Sequence, residues 1–139
     1  MPQLVWVFAQ LNWFERNQLI MENLEQIRAR NALAKAEDAK AKKRQGEGDA
    51  LSGYPSLIIT NGLLATLAFS IEKEKQPQRI ANAIAYHLAN MPENENLVAP
   101  LPATAEGLRT KLTQSDSSHL KQCTAEALAF LSYLKRFAK

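Results

Sequence analysis

Three side chains in this sequence belong to the types that most often bind metals or act as nucleophiles, namely His87, His119 and Cys123. His119 and Cys123 are four residues apart, so a helix would place them on one face as two metal ligands. A metal site needs at least one further ligand, and neither HExxH nor a paired CxxC is present. The pair also lacks the third orienting group and the oxyanion pocket of a thiol nucleophile. We therefore predict no metal and no cofactor.

Phosphate-binding loops and acid–base pairs give no stronger indication of catalysis. The five glycines form neither GxGxxG nor GxxxxGK[ST]. The carboxylate pair Glu72 and Glu74, like the pair Glu93 and Glu95, falls in a stretch with the composition of a solvated surface. These observations predict that the protein is not an enzyme.

Positive charge is concentrated in one window of the chain. Residues 28–44 hold seven cations against two anions and so carry +5, whereas the whole chain carries +3. On a helix Arg28, Lys35 and Lys42 would form one row, because residues seven apart drift by only about 20°. Neighbouring cations of this row would lie roughly 10 Å apart, which suits a phosphate backbone. A solvated helix face is the alternative interpretation, and composition alone leaves both open.

A second group of cations lies near the carboxyl end. Lys121, Lys135 and Lys139 fall within about 40° of one another on a helix and would extend the basic surface. Aromatic stacking platforms are missing from the basic window, so RNA contact there would be electrostatic and independent of base sequence. The candidate RNA-backbone-binding residues are Arg28, Lys35, Lys40, Lys42, Lys43, Arg44, Lys121, Lys135 and Arg136.

The elements that would position these residues are helices, because alanine and leucine are abundant and residues 3–45 contain no proline or glycine. The sequence predicts an all-α fold, a compact single-domain helical bundle with a long protruding basic N-terminal helix. That helix is expected to protrude because its apolar stripe fades into small residues. The domain is expected to span residues 21–139, with helices at about 21–45, 55–76, 77–91, 104–114 and 118–138.

Residues 1–20 are apolar but have no basic n-region and no small-residue cleavage site. Their uncharged run is too short to cross a bilayer, so they are predicted to be neither a signal nor an anchor. They are either a translated upstream extension, with Met21 as the start, or an extra helix. The lone Cys123 excludes an internal disulfide and favours a reducing, cytoplasmic location. Without a segment long enough to span a bilayer, no membrane partner is expected.

The pair Asn61 and Gly62 stands between two apolar runs, which is the usual sign of a β-hairpin. The flanking runs do not alternate, and no other stretch offers a sheet to join, so we predict a helix. On that helix Asn61 would point inward as a buried amide. Gly62 would allow another helix to approach closely, which would offset its low helix propensity.

Three stretches of the chain resemble a known family, and they read LEQIRARNA, PSLIITNGLLATLAF and TAEALAFLSYLKRFAK. The family is the small, all-helical subunit of the Cmr complex, the type III-B CRISPR–Cas effector that targets RNA. The resemblance covers residues 24–139, and the combination of NGLLxTLAF with EALAFLxYLKRFA makes it specific. Arg28 falls on the family's LEQxRA pattern, and Lys135 and Arg136 fall on YLKRFA.

The resemblance implies a non-catalytic subunit that is present in more than one copy, stacked as a minor filament beside the backbone subunits, and acts in antiviral defence. The implied partners are other Cmr subunits, further copies of itself, and the guide and target RNA, whose channel a basic face lines. Target cleavage is attributed to other subunits. An alternative function is a helical protein–protein interaction module whose basic helix pairs with acidic partner surfaces without RNA contact.

Overall fold

The computed structural model describes residues 23–91 and 103–139. Within these two ranges it contains six α-helices and no strand, so the prediction of a compact all-α bundle is confirmed. The helices are α1 (Leu24–Ala39), α2 (Ala50–Asn61), α3 (Leu63–Lys73), α4 (Gln76–Ala89), α5 (Ala105–Thr113) and α6 (Ser117–Phe137), with a short 3₁₀ helix at Lys43–Gln45. The expectation of an extension or an extra helix at residues 1–20 concerns residues outside this description.

Side-chain caps explain where several of the helices begin. Asn23 and Gln26 form a capping box, in which each side-chain oxygen accepts the other residue's backbone N–H, at 2.8 and 2.9 Å. Asp49, Thr104 and Asp116 each accept a backbone N–H from the first turn of α2, α5 and α6. These helix starts therefore depend on residues that are adjacent in sequence.

Helix α4 lies at the centre of the bundle and contacts all five other helices of the described residues. Ile80, Ile84 and Leu88 recur every four residues and are fully buried on one side of α4. Ala81 and Ala85 extend this burial to a second face. A helix that is apolar on most of its circumference is enclosed by its neighbours, and α4 is the element around which the core forms.

Helix α1 differs from the prediction in both length and position. It ends at Ala39 and does not continue to residue 45, and Ala32, Ala36 and Ala39 are buried and do not project into solvent. The helix packs along α4 and α6. Small side chains let two helices approach closely, so the alanines that suggested a fading apolar stripe form a packing surface. The cations that follow Ala39 therefore lie in a loop.

In place of one predicted helix over residues 55–76 the structure has α2 and α3, which meet at Gly62. Gly62 has φ +90° and ψ 158°, a combination that only glycine adopts without strain. The structure also corrects both expectations for the pair, because Asn61 is exposed and no atom lies within 4 Å of where a Cβ on Gly62 would stand. Glycine is therefore needed here for the backbone conformation between α2 and α3, and not for close packing of another helix.

Polar groups of α2 and α3 meet in the core beside this break. Ser70 Oγ donates to the Thr66 carbonyl at 2.8 Å, and Thr66 Oγ1 donates to the Gly62 carbonyl at 2.8 Å. Because Ser70 has a single hydroxyl proton, the Tyr54 hydroxyl is the donor in the 2.6 Å contact between the two oxygens. Burial raises the pKa of Tyr54 to about 12, so this donor keeps its proton at neutral pH.

Candidate nucleic-acid interface

The ends of α1 and α6 and the start of α2 enclose one groove of about 640 Å³. Its charged lining consists of five cations and one carboxylate, namely Lys40, Lys43, Lys135, Arg136, Lys139 and Asp49, and we call it the basic groove. The volume falls in the range of about 300–1,000 Å³ that is usual for ligand pockets. The basic groove is therefore large enough to admit a charged segment of a ligand.

Electrostatics favour an anion in the basic groove. Five cations against one carboxylate leave an excess of four positive charges on its walls. Asp49, the carboxylate, also caps α2 by accepting from the Ser52 N–H at 3.4 Å. A cleft lined mainly by one sign of charge concentrates the field and attracts ligands of the opposite sign.

The basic groove brings together four of the predicted cations, which come from two distant parts of the sequence. Lys40 and Lys43 lie on the segment between α1 and α2, and Lys135 and Arg136 lie on the last turn of α6. Lys139, which sequence reasoning placed only on the edge of the last helix, joins them. The sequence predicts that the carboxyl-end cations extend the basic surface, but it does not predict which cations of the two segments share one groove.

Three further predicted cations are exposed but do not line the basic groove. Lys42 and Arg44 are exposed neighbours of Lys43. Lys121 is exposed on α6, fourteen residues before Lys135 and therefore roughly 21 Å away along the helix axis. The structure thus separates Lys121 from the cations with which it was grouped.

The two remaining predicted cations have partners within the protein. Lys35 Nζ lies 4.4 Å from the centre of the Tyr86 ring and 4.0 Å from Asp38. Arg28 donates from Nε and Nη2 to the two carboxylate oxygens of Glu126, at 2.7 and 2.8 Å. Contact of either side chain with RNA stays a prediction.

The Arg28 ion pair belongs to a polar network where α1, α4 and α6 meet. His87 Nε2 lies 2.8 Å from Glu126 Oε2, and His87 Nδ1 lies 2.9 Å from Asn31 Nδ2. The Asn31 amide nitrogen, Nδ2, also donates to the Asn90 carbonyl at 3.4 Å, and because this nitrogen can only donate, His87 Nδ1 is the acceptor. The histidine proton is therefore assigned to Nε2. Burial alone would raise the pKa of Glu126, but hydrogen bonds from Arg28 and His87 outweigh it and lower the pKa to about 2.

This network has the residue types of a catalytic dyad but not the geometry of one. His87 is fully buried, both of its ring nitrogens have partners, and its ring stacks on Phe130 with centroids 4.4 Å apart. A general base needs a free position within hydrogen-bond reach of a substrate proton, and His87 offers none. The network therefore fastens three helices together.

The His119 and Cys123 pair gains no chemical role from the structure. Cys123 Sγ lies 3.9 Å from His119 Nε2, and burial raises the pKa of the thiol to about 11. A thiol with so high a pKa is a poor nucleophile at neutral pH. Across the part of the chain that the structure describes, no cluster of three or more histidine, cysteine or acidic side chains could hold a metal ion.

Three residues that sequence reasoning missed hold the segment between α1 and α2 in place. Gln76 Nε2 donates to the Ala39 carbonyl at 2.9 Å, and Gln76 Oε1 accepts from the Ala50 N–H at 2.9 Å. Arg79 donates to the carboxylate of Glu47 from Nη1 and Nη2, at 3.2 and 2.6 Å. No periodic signal could reveal these contacts, because the partners are 26 to 37 residues apart.

Within residues 23–91 and 103–139, no helix is both long enough and apolar enough to cross a bilayer.

The fold and the basic groove together define a small all-α protein with a cationic face. The family model described as CRISPR-associated protein (Cas_Cmr5) matches residues 24–139, and the chain belongs to this family. It is a small subunit of the Cmr complex of type III-B CRISPR–Cas, as its resemblance predicts, and it associates with other Cmr subunits. No curated protein and no solved structure matches the chain.

Proposed function

We propose that the protein is a non-catalytic Cmr subunit that holds the phosphate backbone of guide or target RNA in the basic groove. The convergence of Lys40, Lys43, Lys135 and Arg136 on one cleft is the observation that carries this proposal. Lys40 already pairs with Glu37 at 2.9 Å, but exposed ion pairs contribute little free energy, and a phosphate can replace such a partner.

The chemistry of the basic groove suits recognition of a backbone and not of bases. Besides the cations, its lining includes the polar side chains of Ser52, Gln76 and Ser132, and it includes no aromatic ring on which a base would stack. Contacts between cations and phosphates are independent of base sequence, as a subunit that must accept any guide requires.

Support for a non-catalytic role comes from the two groups with catalytic residue types. His87 has no position open to a substrate, and Cys123 is buried with a raised pKa. We assign target cleavage to other subunits.

The proposal includes several copies of the chain in each complex, which form a minor filament beside the backbone subunits in the cytoplasm. Head-to-tail contacts between identical chains need not close into a ring, and they therefore generate filaments. Support for this part comes from the resemblance to the Cmr small subunit. Native mass spectrometry of the assembled complex tests it, and a single copy per complex would contradict it.

The RNA contact is tested in the reconstituted complex, because a free subunit with few phosphate contacts binds weakly. Lys43→Ala, Lys135→Ala and Arg136→Ala are compared with Arg109→Ala, an exposed cation on α5 outside the basic groove. We expect each groove variant to lower target affinity for all RNA sequences alike. The slope of log K against log salt should become shallower by about 0.7–0.9 for each phosphate that the variant no longer neutralises.

Two outcomes would count against the proposal. Equal affinities and salt slopes for the groove variants and for Arg109→Ala would remove the basic groove as an RNA site. Loss of the subunit from the complex, with unchanged RNA affinity of the complexes that retain it, would favour the alternative function of pairing with acidic protein surfaces.

A further inference from the structure

The segment from residue 40 to residue 49, which we call the groove loop, carries the cations that face α6. It contains one short 3₁₀ helix and begins where α1 ends. Backbone hydrogen bonds within the loop form its short 3₁₀ turn, but Ala41 is its one apolar side chain, so little apolar burial holds the loop on the bundle. Polar contacts from outside the loop therefore help to place Lys40 and Lys43 in the same groove as Lys135 and Arg136.

Several of those contacts come from one guanidinium group on α4. Arg79 Nε donates to the Asp38 carbonyl at 2.7 Å, and Arg79 Nη2 donates to the Lys40 carbonyl at 2.9 Å. The same group forks onto the Glu47 carboxylate, whose Oε1 also accepts the Lys42 N–H at 2.8 Å. Arg79 therefore ties the start of the groove loop to its end.

Arg79 and Glu47 lie outside the surface that a ligand in the basic groove would contact. Neither Arg79 nor Glu47 lines the basic groove, and the Glu47 side chain is only 8% exposed. The Arg79 hydrogen bonds also satisfy carbonyls at the end of α1 that have no partner inside the helix. Together the pair stabilises the loop without lining the groove.

We infer that Arg79 and Glu47 are positioning residues that fix the groove loop so that Lys40 and Lys43 face the cations of α6. This inference rests on the proposed RNA contact of the basic groove. It assigns a role in RNA affinity to a carboxylate, Glu47, which a simple sum of charges would count as unfavourable.

Three variants in the reconstituted complex distinguish an effect of net charge on RNA affinity from an effect of the position of the groove loop. Glu47→Gln removes one negative charge and the fork, and Arg79→Lys keeps the charge but loses the fork. Glu37→Gln is the matched control, because it also removes one negative charge beside Lys40, from an exposed side chain. We expect Glu47→Gln and Arg79→Lys to lower target RNA affinity and make the salt slope shallower, while Glu37→Gln binds as tightly as the wild type or tighter.

Hydrogen exchange on the same variants supplies a readout that global destabilisation would not give. We expect faster exchange at residues 40–49 in Glu47→Gln and Arg79→Lys, with the amides of α4 unchanged. If Glu47→Gln unfolds the whole protein, Arg79→Lys alone tests the positioning role, since this substitution leaves the net charge unchanged.

The outcomes distinguish this inference from the proposal beneath it. If Lys43→Ala weakens RNA binding but Glu47→Gln binds as tightly as Glu37→Gln, the basic groove stands and the positioning role is wrong. If all variants, including Lys43→Ala, bind alike, the proposed function fails. Unchanged exchange of residues 40–49 in both variants would then also contradict the bracing role.

Discussion

Glu126 lies where three helices meet and receives hydrogen bonds from two of them. Arg28 on α1 forks onto its carboxylate, and His87 on α4 donates to Oε2. Every buried side-chain nitrogen and oxygen atom of the described residues has a hydrogen-bond partner, so Glu126 belongs to a fully hydrogen-bonded polar network. A substitution that removes the carboxylate takes from Arg28 and His87 the charged group that both contact in a largely buried site.

The first prediction concerns this residue. Glu126→Gln keeps the size of the side chain but removes the anion that Arg28 and His87 share, and we expect it to lower the free energy of unfolding by about 1.5–3 kcal/mol. Urea denaturation at neutral pH measures this change. Glu72→Gln, at an exposed carboxylate of α3, is the control, and an equal effect of the two substitutions would refute the role of the network.

At the scale of the element, the break between α2 and α3 depends on backbone conformation. Gly62 occupies φ +90°, while the space around it is open to 4 Å. Steric contact therefore does not explain the glycine, and conformational freedom does. The break lets α2 and α3 contact each other, and both helices also pack on α4.

Substitution of Gly62 tests whether glycine is required for its backbone conformation or for lack of space around it. We expect Gly62→Ala to lower the free energy of unfolding by about 1–3 kcal/mol, the usual strain of a side chain in this backbone region. Gly48→Ala is the matched control, because Gly48 is also in open space but without a positive φ. Thermal denaturation compares them, and equal melting temperatures would show that the break does not require glycine.

At the scale of the whole molecule, two carboxylates join elements that are far apart in sequence. Glu126 connects α6 to α1 and α4, and Glu47 connects the groove loop to α4. Hydrogen bonds from the Arg79 side chain and the Lys42 backbone lower the pKa of Glu47 to about 2, as those from Arg28 and His87 do for Glu126. Both groups therefore bind a proton more weakly in the folded state than in the unfolded chain.

This linkage predicts an acid-sensitive fold. A carboxyl whose pKa is lowered by folding stabilises the protein above its unfolded pKa, near 4.5, and loses that contribution as the pH falls toward 2. We expect the urea midpoint to be constant between about pH 5 and about pH 8 and to fall between pH 4.5 and 2. The double variant Glu47→Gln with Glu126→Gln should show a shallower fall, and an identical pH profile would contradict this prediction.

Much of the molecule could be predicted from local sequence patterns. The helices and the core spacing of α4 follow from residues close together in the chain, because helical periodicity acts over a few residues. The family follows from the resemblance of the quoted stretches to the Cmr small subunit. The end of α1 and the break at Gly62 could not be predicted in this way. Alanine fits both an exposed stripe and a tight contact, and a glycine between apolar runs fits a hairpin, a helix or a kink.

The sequence by itself determined the all-α class, the excess of cations in residues 28–44 and near the carboxyl end, and membership in the family. Only the tertiary structure decided which of those cations share a surface. It paired Arg28 with a carboxylate 98 residues away and brought Lys43 and Lys135 to the lining of one groove. The physical reason is that charge is a property of each residue, whereas the partner of a charge depends on how distant helices pack, for which the sequence carries no periodic signal.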